Sequence, residues 1–315
     1  MNSILKFGTF QDFIKSRYFI LVAILLIEYT IFAFTAPYFF TTGNFINILR
    51  QVSSTCIMAI PITCLLLAGH MDLSVGSIVG ISGIITGIFL RSGHPIALAI
   101  LMGACTGTAV GLLNGFLIGI LKIQGLVVTI GMQVMVRGLC YIITLGRAVS
   151  GYPSSFFYLG SGSILGIPVS IWVLLIILIP VILILERSYI GRFLLAIGNN
   201  QKAALFSGIN VDLIKFLLFT FCGFITSIAS VFLIARVSSA EATLGAGYEL
   251  DVITATLIGG VDINGGSGKL QGAILGILII GVLRNGLNML GVSVIYQYVI
   301  LGVLLLVSVY RAPNK

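Results

Sequence analysis

The sequence predicts an all-α integral membrane protein with about ten transmembrane segments, one of them short or broken. Three observations carry that expectation. The 315 residues are 58% hydrophobic and only 8% charged, with a mean hydropathy of +1.18, whereas soluble domains are roughly a quarter charged. So much apolar surface needs lipid as its solvent. Apolar runs near membrane-spanning length follow one another along the chain. The basic residues between them are distributed unevenly, in the way that fixes membrane orientation.

The runs cover 18–36, 46–68, 73–90, 95–121, 125–145, 168–185, 213–237, 250–261, 270–290 and 294–310. A helix needs about 20 apolar residues to cross the hydrocarbon. The first run follows a basic stretch, residues 1–17, and no small-residue cleavage site ends it, so it reads as a retained helix rather than a signal peptide. Asp72 precedes the third run and suits a helix N-cap. In the fourth run Gly103, Gly107, Gly111, Gly115 and Gly119 recur every four residues. Such a row lets another helix backbone approach closely, either within one subunit or at a dimer seam. Gly272 and Gly276 repeat the device in the ninth run. The eighth run is too short to span alone.

With the N-terminus cytoplasmic and every run crossing, Lys6, Lys15, Arg17, Lys122, Arg187, Arg192, Lys202, Lys215, Lys269, Arg311 and Lys315 lie inside. Arg50, Arg91, Arg147 and Arg236 lie outside. That is the expected asymmetry. Dropping the eighth run would move Lys269, Arg311 and Lys315 outside, which argues for keeping it as part of a broken helix. Both termini are then cytoplasmic, and the chain is a single transmembrane domain, 1–315, with its longest cytoplasmic loop at 186–212. Two Gly- and Ser-rich segments, 146–167 and 237–249, face outward and can meet a partner there.

Ionisable groups inside a membrane are rare and mark function or pairing. Glu28, Arg137 and Arg284 lie within runs. Thr129, Gln133 and Arg137 share a helical face at spacing four, which suits a polar cavity. Arg284 is followed by Asn285 and Asn288. Lining a pathway, snorkelling to the interface and pairing of the two arginines with each other are the readings of these groups.

Other chemistries find little support. The five cysteines fall in apolar runs without CxxC spacing, and His70 and His94 have no second ligand at metal spacing, so no metal site is expected. The stretch NGGSGK at 264–269 imitates a phosphate-binding loop, but Ile263 stands at its first glycine position and Leu270 follows the lysine. No catalytic constellation appears. Uphill transport by such a chain needs a gradient or a partner. An ion-driven secondary transporter with Glu28 or Asp72 as the ion site is the alternative reading.

Four stretches resemble one family. GHMDLSVGS at 69–77, with Asp72, Ser74 and Gly76, is similar to the signature of the permeases of ribose-type ABC sugar importers. So are the stretch 191–211, the GYELD of 247–251 with its following glycine pairs, and NGLNMLGVS at 285–293. The resemblance covers nearly the whole chain in order. It implies a monosaccharide importer in the bacterial inner membrane, working by alternating access. It also implies a second, often identical, permease subunit, an external solute-binding protein, and separate ATPase subunits that carry the ATP and Mg. The loop 186–212 would then hold a coupling helix that docks on the ATPase, with Asn199, Asn200, Gln201, Lys202, Ala203, Ala204, Leu205, Ser207 and Gly208 as its contact set. Asn199 or Asn200 suits its N-cap, and Gly208 a left-handed C-terminal cap. The small Ala203 and Ala204 suit close docking. One departure stands out: the family commonly places acidic residues just before the Ala-Ala pair, where this chain has Gln201-Lys202.

Overall fold

The computed structural model describes residues 17–310. Lys6, Lys15, Arg311 and Lys315, on which part of the orientation argument rests, lie outside them. The helices are α1 (Arg17–Thr35), α2 (Thr42–Leu67), α3 (Val75–Arg91), α4 (Ile96–Gly115), α5 (Gly125–Thr144), α6 (Phe157–Ser161), α7 (Val169–Arg187), α8 (Tyr189–Asn199), α9 (Gln201–Phe206), α10 (Val211–Val237), α11 (Tyr248–Ile258), α12 (Leu270–Met289) and α13 (Val294–Tyr310). A π-helical turn, Phe116–Ile120, extends α4. Among the described residues seven helices are long and apolar enough to cross a membrane: α1, α2, extended α4, α5, α7, α10 and α12. Helices α3 and α13 are shorter apolar helices, and α11 has 11 residues.

Helices α2 and α10 form the centre of the bundle, with most of their side chains buried, while α1 lies at the periphery. Two short antiparallel ribbons mark one end. Strand β1 (Val149–Ser150) pairs with β4 (Ser239–Ala240), Val149 opposite Ala240. Strands β2 (Ser163–Ile164) and β3 (Ile167–Pro168) form a hairpin. Its two turn residues, Leu165 and Gly166, both take positive φ, the primed-turn geometry that matches strand twist. Helices α8 and α9 mark the opposite end.

The glycine row of α4 packs inside the subunit. A Cβ on Gly107 would stand 2.8 Å from the Gly223 carbonyl oxygen, and one on Gly111 would stand 2.5 Å from that of Phe219. Gly115 and Gly119 meet Phe216 of α10 in the same way, while Gly103 faces Ser82 and Thr86 of α3. Of the two uses open to such a row, the chain uses it to seat α4 against its own neighbours. Gly272 and Gly276 of α12 likewise press on Gly259 and Ala255, joining α11 and α12 as an antiparallel pair.

The segment 237–249, placed outside by counting the crossings, departs from that expectation. It leaves α10 at the ribbon end, forms β4, and then runs back into the bundle. Ala240 and Ala242 are buried, and Gly245 sits against Gly76 at the start of α3. Helix α11 starts there, inside the protein, and spans about 16 Å at 1.5 Å per residue. That is about half of a hydrocarbon core. Non-helical backbone is tolerated at such depth only where its polar groups are satisfied. Here Arg137 of α5 supplies the donors: its Nη1 donates to the carbonyls of Ala242 at 2.6 Å and Leu244 at 2.7 Å.

Candidate functional site

Two regions bring the sequence-selected residues together. The first lies at the α8–α9 end. Asn200 caps α9 by accepting from the Ala203 N–H at 3.0 Å. Gly208 closes it with φ +84°, its N–H donating to Leu205 and the Ile209 N–H to Ala204, which is a Schellman ending. Asn199 does not cap. Its Nδ2 donates to the Gly266 carbonyl at 3.0 Å, while the Gly266 N–H donates to Leu67 at the end of α2. Gly198 fits between them, where any Cβ would collide with both. Thus α8–α9, the end of α2 and the loop before α12 form one clasp.

The outward face of α9 differs from the expected one. Ala204 is 4% exposed and belongs to the apolar core, so it seats the helix. Gln201, Lys202, Ala203, Leu205, Ser207 and Gly208 are exposed. So is Phe206, at 89%, and the sequence reading passed over it. In a six-residue helix the pattern Ala-Ala-Leu-Phe does not say which side faces inward; tertiary packing decides.

The second region is a polar seam around the first turn of α11. On one side, Gln133 donates to Glu249 at 3.0 Å, and Arg137 holds the chain just before α11. Thr129 is fully buried and bonds back to Leu126 of its own helix. Two residues of the face Thr129–Gln133–Arg137, Gln133 and Arg137, are therefore engaged by residues 242–249. On the other side, Arg284 donates to Asp251 at 2.6 Å. Asn285 exchanges two amide bonds with Asn44, both 3.0 Å, and Asn288 accepts from Gln297 at 2.7 Å. The two arginines thus have separate partners and do not pair with each other.

Glu249 and Asp251 stand in the first turn of α11, where the helix dipole favours carboxylates. They join the two networks and were not among the selected pathway residues. Their signal was present, as two acids spaced two apart at the head of an apolar run. Asp72 is fully buried but is not the N-cap of α3; that position is Ser74. Asp72 accepts from the Ser74 N–H at 2.8 Å and its hydroxyl at 2.5 Å, shaping the turn before the helix, and Asn114 donates to Ser74 at 2.9 Å. Gly76 lies against Gly245 and Glu249, which leaves no room for a side chain.

A broken helix starting at mid-bundle, glycine-seated neighbours and a small helix clasped across one end make a transporter-like arrangement. Comparison with known proteins gives it a family. Residues 44–309 match the family described as branched-chain amino acid transport system, permease component. The ribose import permease protein of Escherichia coli K12 is 36% identical over 295 residues, 92% of each chain. The chain belongs to the ribose-type permease family of ABC importers. The permease is also 37% identical over 281 residues to the ribose import permease protein of Bacillus subtilis, covering 89% of this chain and 87% of that one. It is 36% identical over 289 residues to the L-arabinose ABC transporter permease protein of Azospirillum brasilense, covering 92% and 85%. No solved structure matches the permease.

Proposed function

We propose that the permease is the membrane-spanning subunit of an ATP-driven, binding-protein-dependent importer of a monosaccharide, ribose or a related pentose, in the cell membrane. The α8–α9 end faces the cytoplasm, both termini lie inside, and α11 with its following loop completes a tenth crossing. Two permease subunits enclose the pathway. A solute-binding protein docks at the ribbon end, and separate ATPase subunits hydrolyse ATP with Mg. The permease itself carries out no catalysis.

The observation that carries this reading is the α8–α9 clasp. It presents an exposed aromatic, Phe206, on a capped helix that is tied to the rest of the protein through Asn199 and Gly266. ATPase movement at α9 passes through that clasp to the loop 259–269, and from there to α11. The head of α11 carries Glu249 and Asp251, where both polar networks meet. Asn, Gln, Arg and carboxylate groups along the seam offer hydroxyl-matching hydrogen bonds as it opens, enough for a transient sugar path. The exposed Lys202, in place of a family acid, calls for a less basic surface on the cognate ATPase.

Phe206→Asp in proteoliposomes containing permease, ATPase and binding protein tests it. The side chain is exposed, so insertion and melting temperature stay at wild-type values. Uptake and binding-protein-stimulated ATPase activity fall about 30-fold or more, the scale of an aromatic interface hot spot worth ~2 kcal/mol. Unchanged uptake sinks the docking role of α9. Uptake that runs without ATP and follows a proton or sodium gradient replaces the importer with the ion-driven alternative.

A further inference from the structure

A cleft of about 540 Å³ opens at the α8–α9 end, between the turn after α2, the α4–α5 connection and the starts of α9 and α10. Its lining includes His70, Lys122, Gln124, Gly125, Asp212 and Lys215. None of these belongs to the polar seam around α11.

Three features of the cleft favour a bound anion. Lys215 is 8% exposed, yet its ammonium has no hydrogen bond or ion pair among the described residues. Buried charges are normally paired. The nearest acid, Asp212, is engaged with Lys122 at 3.0 Å and also acts on Lys215, so two lysines and one acid leave the cleft a net positive charge. Second, the 20-residue helix α5 starts in the cleft with no side-chain cap. The N–H groups of Gly125, Leu126 and Val127 find no acceptor among the described residues. A helix start of this kind, with its positive dipole end, binds anions. Third, the buried Nε2 of His70 has no partner among the described residues. His70 lies in the turn between α2 and α3, where burial and the nearby Lys215 pull its imidazole down to about 4. It therefore stays neutral near pH 7 and offers a donor or acceptor rather than a second charge.

We propose that this cleft is a phosphate-binding site, in which Lys215, the free N–H groups at the start of α5 and His70 hold one phosphate group. Asp212 stays on Lys122, which keeps the anion on the Lys215 side. The cleft has room for a phosphate monoester, and its position at the membrane edge also admits the headgroup of an anionic phospholipid. Both sources present the same group. Placing the site in the cytoplasm rests on the orientation proposed above; the binding chemistry does not.

The test uses the purified full-length permease without ATPase or binding protein, so a failed importer reading leaves it untouched. Inorganic phosphate is titrated onto delipidated protein in detergent and followed by phosphorus NMR line broadening. Retention of phosphatidylglycerol from mixed phosphatidylglycerol and phosphatidylcholine discs is read by native mass spectrometry. Lys215→Gln weakens binding at least about tenfold, the scale of one charge-assisted hydrogen bond, and Lys215→Arg restores it. Gly125→Pro weakens it independently. Proline suits the first helical position and removes only that N–H, so this variant holds even if Lys215→Gln misfolds. Binding of inorganic phosphate assigns the site to a soluble phosphate, and retention of phosphatidylglycerol alone assigns it to a lipid headgroup. If neither probe binds, or if binding ignores both variants, the proposal is overturned.

Discussion

Gly111→Val is expected to leave almost no folded protein. The α4–α10 contact is backbone on backbone. A Cβ at Gly111 would stand 2.5 Å from the Phe219 carbonyl oxygen and 3.0 Å from the Gly223 Cα. Gly223 presses back on Gly107 and Gly111 from the other side, so neither helix has room to retreat. In lipid there is no hydrophobic term between helices to offset a lost fit; close packing itself holds them together. Ordinary overpacking of a core costs about 1–3 kcal/mol because side chains can shift. Backbone atoms cannot shift alone, so α4 must separate from α10 over several turns. Since α10 is a central helix, its neighbours lose their support too. Gly131→Val on α5 is the control, because none of the described residues lies within 4 Å of a Cβ there. The measurement is the monodisperse fraction on size-exclusion chromatography and the melting temperature in one detergent. Equal behaviour of the two variants would show that the close approach does not hold the bundle together.

The glycine row announced a close approach but not the partner, since a repeat of four is a property of one helix and contact a property of two. The ten apolar runs located ten helices within a few residues, seven of them long and apolar enough to cross a membrane, because burial in lipid demands long apolar stretches whatever the tertiary fold. The segment 237–249 was misplaced for the converse reason. Its Gly-, Ser- and acid-rich composition suits water, and it enters the bundle only because Arg137, more than a hundred residues away, satisfies its carbonyls. Local sequence holds no trace of that donor. The cap residues Asn200 and Gly208 were legible because capping is local chemistry. Burial of Ala204 and exposure of Phe206 were not, because the orientation of six residues is set by what lies beneath them. The Asp251–Arg284 pair lies between these cases. Once Gly259 and Gly272 are recognised as facing each other across a hairpin, antiparallel register brings Ala255 to Gly276 and Asp251 towards Arg284.

That pair carries the second large effect. Arg284→Met is expected to destabilise the permease by about 3–5 kcal/mol, and Asp251→Leu by a similar amount, because each leaves a buried charge without its partner. The two side chains are 18% and 7% exposed, so solvent screens them little. The singles need not match. Asp251 retains the positive end of α11 and can take up a proton, whereas arginine cannot lose one. Asp251→Leu is therefore the worse of the two. The double variant Asp251→Leu with Arg284→Met removes both charges and leaves apolar groups of similar bulk. Replacing a buried ion pair in this way is often neutral or stabilising, so the double should melt above both singles. A cycle of the four proteins in the same detergent measures the coupling directly. Additive losses would mean that the side chains contribute separately and that the 2.6 Å contact adds no stability. Uptake by the double variant separates fold from path. If it melts like wild type yet no longer imports sugar with ATPase and binding protein present, the pair is kept for the passage of substrate past the head of α11. If it still imports, the charges serve only to fasten α11 to α12.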